Sequence, residues 1–371
     1  MKVIFVTREG YGLSGARVRC YNFARELAVH HIEAQVFSFA DELGARHGEG
    51  ELRMSFLEKL VLNCQAFRRL WRSGSDVTFV LQRLNYHVLA PLLVALLRKQ
   101  RVIFDCDDWN IRENPVYYLG FYPSSKMEYF TRILARRASL CIVASDFLRE
   151  YLCRFNPSTY YLPTAVDTDF FRPSLECDHA RVVFSWVGTA YHPEMGENLR
   201  FLVSCFSALA DEYDNVFLSM AGEGKYFDEI KSDLTAYSHM DRVEWRPWVH
   251  PDKMPEYLSA IDVGLLPLIQ DTKFNRAKSP TKLFEYMSMG KATISSDIGE
   301  ASHIIRDRET GLLFRDREGW ISGMRMLVSD PEFRSKVGLR AREAVEREYS
   351  LKVVVSRLAE VLEGVGLQRD K

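Results

Sequence analysis

Short β-rich runs alternate with helix-length stretches along almost the whole chain, and this alternation limits the fold more than any other feature. Strands separated by helical connections cannot close as hairpins and have to pair in parallel. A first series of such runs falls at 3–6, 34–39, 77–81, 102–104 and 139–144, and a second at 181–187, 216–221, 243–246, 263–267, 293–295 and 311–314. With 371 residues the chain is long for one core and suits two. The reading is an α/β protein of two Rossmann-like, doubly wound domains. The expected boundaries are an N-terminal Rossmann-like domain over 1–163, a linker over 164–180 and a C-terminal Rossmann-like domain over 181–345. A C-terminal helix over 346–371 is expected to pack back toward the first domain. Ligands of such sheets bind beyond the carboxyl ends of the strands, so two of them imply a shared cleft.

The chain carries a formal net charge of −1, which gives no support to nucleic-acid binding. Its seven cysteines form no CxxC pair, and several lie in apolar runs such as Leu140–Val143. They read as reduced, buried thiols of a cytoplasmic protein. The opening MKVIFVTREG reads as a first strand, and the longest apolar stretch, 88–97, is far short of the roughly 20 residues that span a bilayer. Arg68, Arg69 and Arg72 form one basic cluster, and Arg98, Lys99 and Arg101 another. The stretch 56–72 places Phe56, Leu60, Cys64, Phe67 and Trp71 on one helical stripe beside Lys59 and the first cluster. Two readings stay open: a helix facing the core, or a basic amphipathic helix in peripheral contact with the inner face of an anionic membrane.

The most informative segment is KSPTKLFEYMSMGK, Lys278 to Lys291. Ser279 suits an N-cap and Pro280 a first helical position. Lys282 and Glu285 then share one face near the positive end of the helix, where free N–H groups attract phosphate. Lys278 and Lys282 would neutralise a diphosphate, with Ser279 and Thr281 beside it, and Glu285 would accept hydrogen bonds from a ribose diol. An ordinary capped helix with a Lys–Glu pair explains the same residues. After the first strand, Gly10, Gly12 and Gly15 have the G-x-G-x-x-G spacing that lets backbone N–H groups approach a phosphate or sugar, a weak signal shared with dehydrogenases. Arg17 and Arg19 follow, suited to an anion or to solvent.

The segment 278–291 resembles the donor-binding signature of retaining glycosyltransferase family 4, of the GT-B fold, in the branch that carries K-x-x-x-K-L-x-E-Y-M-x-x-G. Phe184-Ser185-Trp186-Val187-Gly188-Thr189 resembles the strand and loop that open the second domain in that family, and Ala221-Gly222-Glu223-Gly224 a loop on the nucleobase side. Stretches 245–248 and 261–268 resemble the strands before the signature, and 162–173 the interdomain link. Arg17-Val18-Arg19 and Asp105-Cys106-Asp107-Asp108 resemble features of the first domain. The chain departs from the pattern in three places. Ala277 stands where many members have the first glutamate of E-x7-E, no Arg or Lys follows Gly188 until Arg200, and Lys291 replaces a usual proline.

The resemblance implies transfer of a sugar from a nucleotide-diphosphate sugar to a hydroxyl of a glycan, lipid-linked or small-molecule acceptor. It further implies retention of configuration, no metal and no cofactor beyond the donor, as in polysaccharide biosynthesis. Lys278, Lys282, Asp107 and Asp108 are then the expected catalytic residues. The donor would be bound by Gly12, Gly15, Arg17, Gly188, Thr189, Glu223, Ser279, Thr281 and Glu285. Asp105-Cys106-Asp107-Asp108 ends a strand and leaves three readings open: a D-x-D cation site, a metal-free acceptor site, or caps and turns. His87 is a weak substitute for a histidine that many members place nearby. The rival functions are a non-catalytic sugar-nucleotide-binding protein and a sugar-nucleotide epimerase of the same fold.

Overall fold

The computed structural model describes residues 1–46, 54–109, 125–173, 181–233 and 237–367. Part of the expected linker, 174–180, and Cys177 within it lie outside these residues. The chain forms two compact units: Met1–Ala165 with Ala277–Ser279 and Leu351–Lys371, and Val166–Arg276 with Pro280–Ser350.

The first unit is built on a six-stranded sheet: β1 (Lys2–Thr7), β2 (Glu33–Ser38), β3 (Val77–Gln82), β4 (Arg101–Cys106), β5 (Leu140–Val143) and β6 (Thr159–Tyr161). Its order is β2-β1-β3-β4-β5-β6, and every pairing is parallel. The central strands read as continuous apolar runs because both faces are covered. On β1, Val3 and Phe5 pack toward α1 (Phe23–Leu27) and the C-terminal helix, whereas Ile4 and Val6 face the opposite layer. That layer holds α2 (Phe56–Trp71), α3 (Leu89–Arg98), α4 (Ser125–Arg137) and α5 (Asp146–Leu152). The helical pattern at 17–28 is not one regular helix: a π-helical stretch, Arg17–Asn22, precedes α1.

The second unit repeats the plan with β7 (Val182–Thr189), β8 (Val216–Glu223), β9 (Val243–Arg246), β10 (Val263–Leu266), β11 (Ala292–Ser296) and β12 (Leu312–Phe314). The order β12-β11-β10-β7-β8-β9 is the Rossmann order, all parallel, with the direction in which successive strands are added reversing between β7 and β10. Phe184 and Trp186 face α6 (Pro193–Ala210) and α8 (Arg317–Ser329). The other face carries α7 (Thr281–Ser288) and α9 (Pro331–Glu348). Tyr349 and Ser350 interrupt the helical tail, and the last helix, α10 (Leu351–Leu367), packs Val354, Val355 and Leu358 into the core of the first unit.

Three local expectations are corrected. The stripe on α2 does not face the core: Asn63, Ala66 and Leu70 are buried, while Phe56, Leu60, Cys64 and Trp71 are exposed. Helical periodicity locates an apolar stripe but cannot say that it points inward, and small residues make the closer contact here. Ser279 does not cap α7, because the helix begins at Thr281 with Pro280 at the capping position and no side-chain cap. Instead the Ser279 hydroxyl donates to Thr164 Oγ1. Finally, not every thiol is buried: Cys64 and Cys153 are exposed, whereas Cys20, Cys106, Cys141 and Cys205 are buried.

Candidate functional site

At the carboxyl ends of the first unit's central strands, arginines meet carboxylates out of reach of water. The π-helical stretch turns Arg19 inward until nothing of it is exposed. Its Nε donates to both oxygens of Asp105 at 3.0 and 3.1 Å, its Nη2 to Oδ1 at 2.7 Å, and its Nη1 to the Leu162 carbonyl at 2.8 Å. Burial pushes the Asp105 carboxyl up to about 6, against the pull of Arg19.

Arg83 follows β3 in a left-handed conformation (φ 56°) that non-glycine residues seldom adopt. From there its Nε and Nη2 donate to Asp107 Oδ1 and Oδ2 at 2.6 and 3.1 Å, and its Nη1 to Glu9 Oε1 at 3.0 Å. Gln82 Nε2 adds a bond to Asp107 Oδ2 at 3.0 Å. Burial alone would raise the Asp107 carboxyl, but Arg83 outweighs it and the pKa is lowered. The Asp108 carboxyl is raised, chiefly by burial and also by Asp107, with Arg83 and Lys278 opposing. His87 is buried with its Nε2 3.0 Å from the Gln82 carbonyl. Burial, helped by Arg8, holds its pKa down to about 3, so the ring is neutral at physiological pH.

This arrangement explains the glycines differently from the sequence reading. A Cβ on Gly15 would lie 2.8 Å from Arg83 Nη2, so Gly15 makes room for the guanidinium. Gly12 stands in open space, and its carbonyl accepts from Arg17 Nη1 at 3.2 Å. With Asp105 and Asp107 each held by an arginine, no group of three His, Cys, Asp or Glu suited to a metal occurs among the described residues.

In the second unit, α7 follows β10 and lies against it, with the Tyr286 ring over Gly264, where a Cβ would meet the ring at 2.2 Å. The N-terminus of α7 has no side-chain cap, so it retains the free N–H groups of a helix start. Lys282 Nζ pairs with Glu285 Oε2 at 2.9 Å; the glutamate side chain is 3% exposed and the lysine 16%. Thr281 opens the helix. Gly188 and Thr189 end β7, and Glu223 ends β8 with its side chain exposed. The two strands approach closely at that end: a Cβ on Gly222 would lie 2.2 Å from the Gly188 carbonyl oxygen.

Lys278 and Lys282 are divided between the units, since Ala277–Ser279 counts with the first and Pro280 onward with the second. Lys278 acts on Asp108. Ala277, at the position of the missing glutamate, is fully buried in the first unit's core. Lys291 turns inward and donates to the Ser259 carbonyl at 3.0 Å. Arg83, Glu9 and Gln82 were missed by the sequence reading. The available signal was a polar pair, Gln82-Arg83, directly ending the apolar run of β3.

Residues 181–330 match the family model described as glycosyl transferases group 1. A Bacillus subtilis (strain 168) protein bearing the name of a teichuronic acid biosynthesis glycosyltransferase, TuaH, is 32% identical over 226 residues. That match covers 57% of this chain and 54% of the relative, so it spans about half the length of each. Among solved structures, Anabaena Alr3699/HepE in complex with UDP and glucose superposes with a TM-score of 0.72 at 14% identity, over 98% of this chain and 100% of that one. Sucrose-phosphate synthase from Thermosynechococcus elongatus gives a TM-score of 0.74 at 14% identity, over 99% and 100%. The fold, two Rossmann-like domains with parallel six-stranded sheets, is GT-B. No helix among the described residues is long and apolar enough to cross a membrane.

Proposed function

We propose that this chain is a glycosyltransferase of family 4 that moves a hexose from a nucleoside diphosphate sugar to an acceptor hydroxyl with retention of configuration and without a metal. The observation that carries the reading is the uncapped start of α7, with Lys282 and the buried Glu285 one turn apart, inside the segment that matches the glycosyltransferase model. The leaving diphosphate develops charge in the transition state, and fixed donors aimed at that charge can supply the largest catalytic contribution. The N–H groups at Thr281 and Lys282, the helix dipole and the Lys282 ammonium are such donors, with Lys278 as a second cation. Ser279 and Thr281 lie beside the phosphates, and Glu285 accepts from the ribose hydroxyls. Gly188, Thr189 and Glu223 bound the donor from β7 and β8.

Asp107 acts through Arg83, which it orients. Asp108, raised by burial, is the carboxyl suited to receiving the acceptor hydroxyl. The TuaH match and the UDP and glucose held by the Anabaena structure support a nucleotide-sugar donor and a growing polysaccharide as acceptor.

The test is calorimetric. Lys282→Ala should weaken binding of the preferred nucleoside diphosphate, found by a thermal-shift screen of UDP, GDP, ADP, CDP and dTDP, by roughly 10- to 150-fold, the worth of one charge-assisted bond. Binding of the bare nucleoside should hardly change. Equal diphosphate affinity in variant and wild type would remove Lys282 from the site. Turnover that disappears in EDTA and returns with Mn²⁺ would overturn the metal-free mechanism.

A further inference from the structure

In the first unit, α2 and α3 lie side by side and parallel on one face of the sheet. Asn63 Oδ1 accepts from the Ala90 N–H at 3.0 Å, and eight residues further along each helix the Arg98 guanidinium sits 4.3 Å above the Trp71 ring. Both helices bury an inner face: Asn63, Ala66 and Leu70 on α2, and Ala90, Val94 and Ala95 on α3. Their outer faces are also apolar. Leu89, Leu93, Leu96 and Leu97 are exposed on α3, with Leu96 at 72%, and Phe56, Leu57, Leu60 and Val61 on α2, with Phe56 at 78%. With Trp71, these two helices carry nine of the nineteen large apolar side chains exposed among the described residues. A surface helix apolar on both faces has no physical reason to stay in water, and an apolar patch of this kind marks a contact surface.

The charge around the patch identifies the partner. Residues 56–101 contain, besides Arg83, which is held by Glu9 and Asp107, seven Lys or Arg against two Asp or Glu, a net +5 in a chain whose total is −1. Arg68, Arg72 and Lys99 are exposed at the carboxyl ends of the two helices, beside the interfacial Trp71. A second copy docked on this face with its helices running parallel would set the basic rim against itself, and like charges brought together disfavour that pairing. No helix among the described residues is long and apolar enough to span a bilayer, so the partner is a surface and not a membrane interior. We propose that the paired outer faces of α2 and α3 dock on an anionic phospholipid bilayer, leucines and Phe56 entering the acyl boundary and the arginines meeting headgroup phosphates. This goes beyond the proposed sugar transfer and does not rest on it.

The test is flotation of the full chain with vesicles of phosphatidylcholine alone and of phosphatidylcholine mixed with phosphatidylglycerol. The expected result is binding to the mixed vesicles only, weakened as salt rises from roughly 0.1 to 1 M. Leu93→Gln with Leu96→Gln should lower the partition coefficient about tenfold or more. Arg68→Ala with Arg72→Ala should lower it about fivefold per charge. All four side chains are exposed, and unchanged circular dichroism and thermal unfolding would certify the fold. Trp71 fluorescence of the unaltered protein, quenched by brominated lipid and not in Trp71→Phe, gives a readout free of folding effects. Absence of binding at low salt would overturn the proposal, as would binding indifferent to both pairs. A concentration-dependent dimer abolished by the leucine pair, without vesicle binding, would assign the face to self-association instead.

Discussion

Replacing Arg83 by Met tests whether the charge cluster in the first unit is held together as the geometry requires. The side chain is 17% exposed, and its two partners, Glu9 and Asp107, are 10% and 3% exposed. The substitution keeps most of the aliphatic volume and removes three charge-assisted bonds, two to Asp107 and one to Glu9. Gln82 would still donate to Asp107, but one neutral amide cannot balance a buried carboxylate. Breaking a buried pair from one side costs about 3–5 kcal/mol, because the remaining charge stays desolvated. Two carboxylates share this arginine, so the upper half of that range applies. Urea unfolding at neutral pH, followed by circular dichroism, measures the loss. The double variant Arg83→Met with Asp107→Asn should recover part of it, since the orphaned charge is then gone. The single variant should also gain stability as the pH falls, because Asp107, no longer held below its ordinary range, takes up a proton on folding. A loss under about 1 kcal/mol, or a double variant no more stable than the single, would refute this account.

Three further outcomes follow from the same geometry. Gly15→Ala should cost about 1–3 kcal/mol in the same urea assay, because its Cβ meets the Arg83 guanidinium at 2.8 Å; a neutral result would show that the guanidinium has room to move. His87 has a folded pKa of about 3 against an ordinary value of 6.5, so its contribution is present above 6.5 and is lost as the pH falls toward 3. The stability gap between wild type and His87→Gln should therefore narrow by about 3 kcal/mol between about pH 7 and about pH 4, and a constant gap would mean the ring is protonated in the fold. Asp105, raised to about 6, works in the opposite direction over its own window, but it does so in both proteins and cancels from that difference. Glu285→Ala should weaken ribonucleotide binding by about 1–3 kcal/mol and lose less against 2′-deoxy analogues, whereas strict additivity by calorimetry would separate Glu285 from the ribose.

The parallel sheets were legible because each strand carries its own signal. Val3–Val6, Val182–Val187 and Val263–Leu266 are apolar on both faces and bounded by polar or glycine residues, as a strand covered on both sides requires, and the helical stretches between such runs make the pairing parallel. The Lys282–Glu285 pair was legible because three-residue spacing on a helix is local geometry. What depended on tertiary context was not. Phe56, Leu57, Leu60, Val61 and Trp71 of α2 point outward while Asn63, Ala66 and Leu70 turn to the core, and no single-helix pattern records which side meets the rest of the protein. Arg83 follows β3 in a left-handed conformation that no residue preference announces. Lys278 reads as a neighbour of Lys282, yet the helix starts only at Thr281 and the preceding turn packs with the first unit.

The charge balance of the two units bears on which substrate each would receive. In the first unit the three described arginines nearest the buried carboxylates, Arg8, Arg19 and Arg83, are already matched. Arg19 is held by Asp105, Arg83 is shared between Glu9 and Asp107, and Arg8 also lies 3.4 Å from Glu9. A diphosphate arriving there would have to displace buried carboxylates from arginines at a cost of several kcal/mol. A neutral hydroxyl would not, and it could hydrogen-bond to Asp108 without disturbing a pair. In the second unit Lys282 is likewise paired with Glu285, but Pro280 at the capping position supplies no side-chain acceptor, so the capping residue does not offset the dipole at the start of α7. A ribose that takes up the Glu285 carboxylate would release the Lys282 ammonium toward a phosphate one turn nearer the helix start. The proposed assignment of donor to the second unit and acceptor to the first thus follows from where positive potential is left unspent. It is also the order in which a charged leaving group and a neutral nucleophile would need to be held.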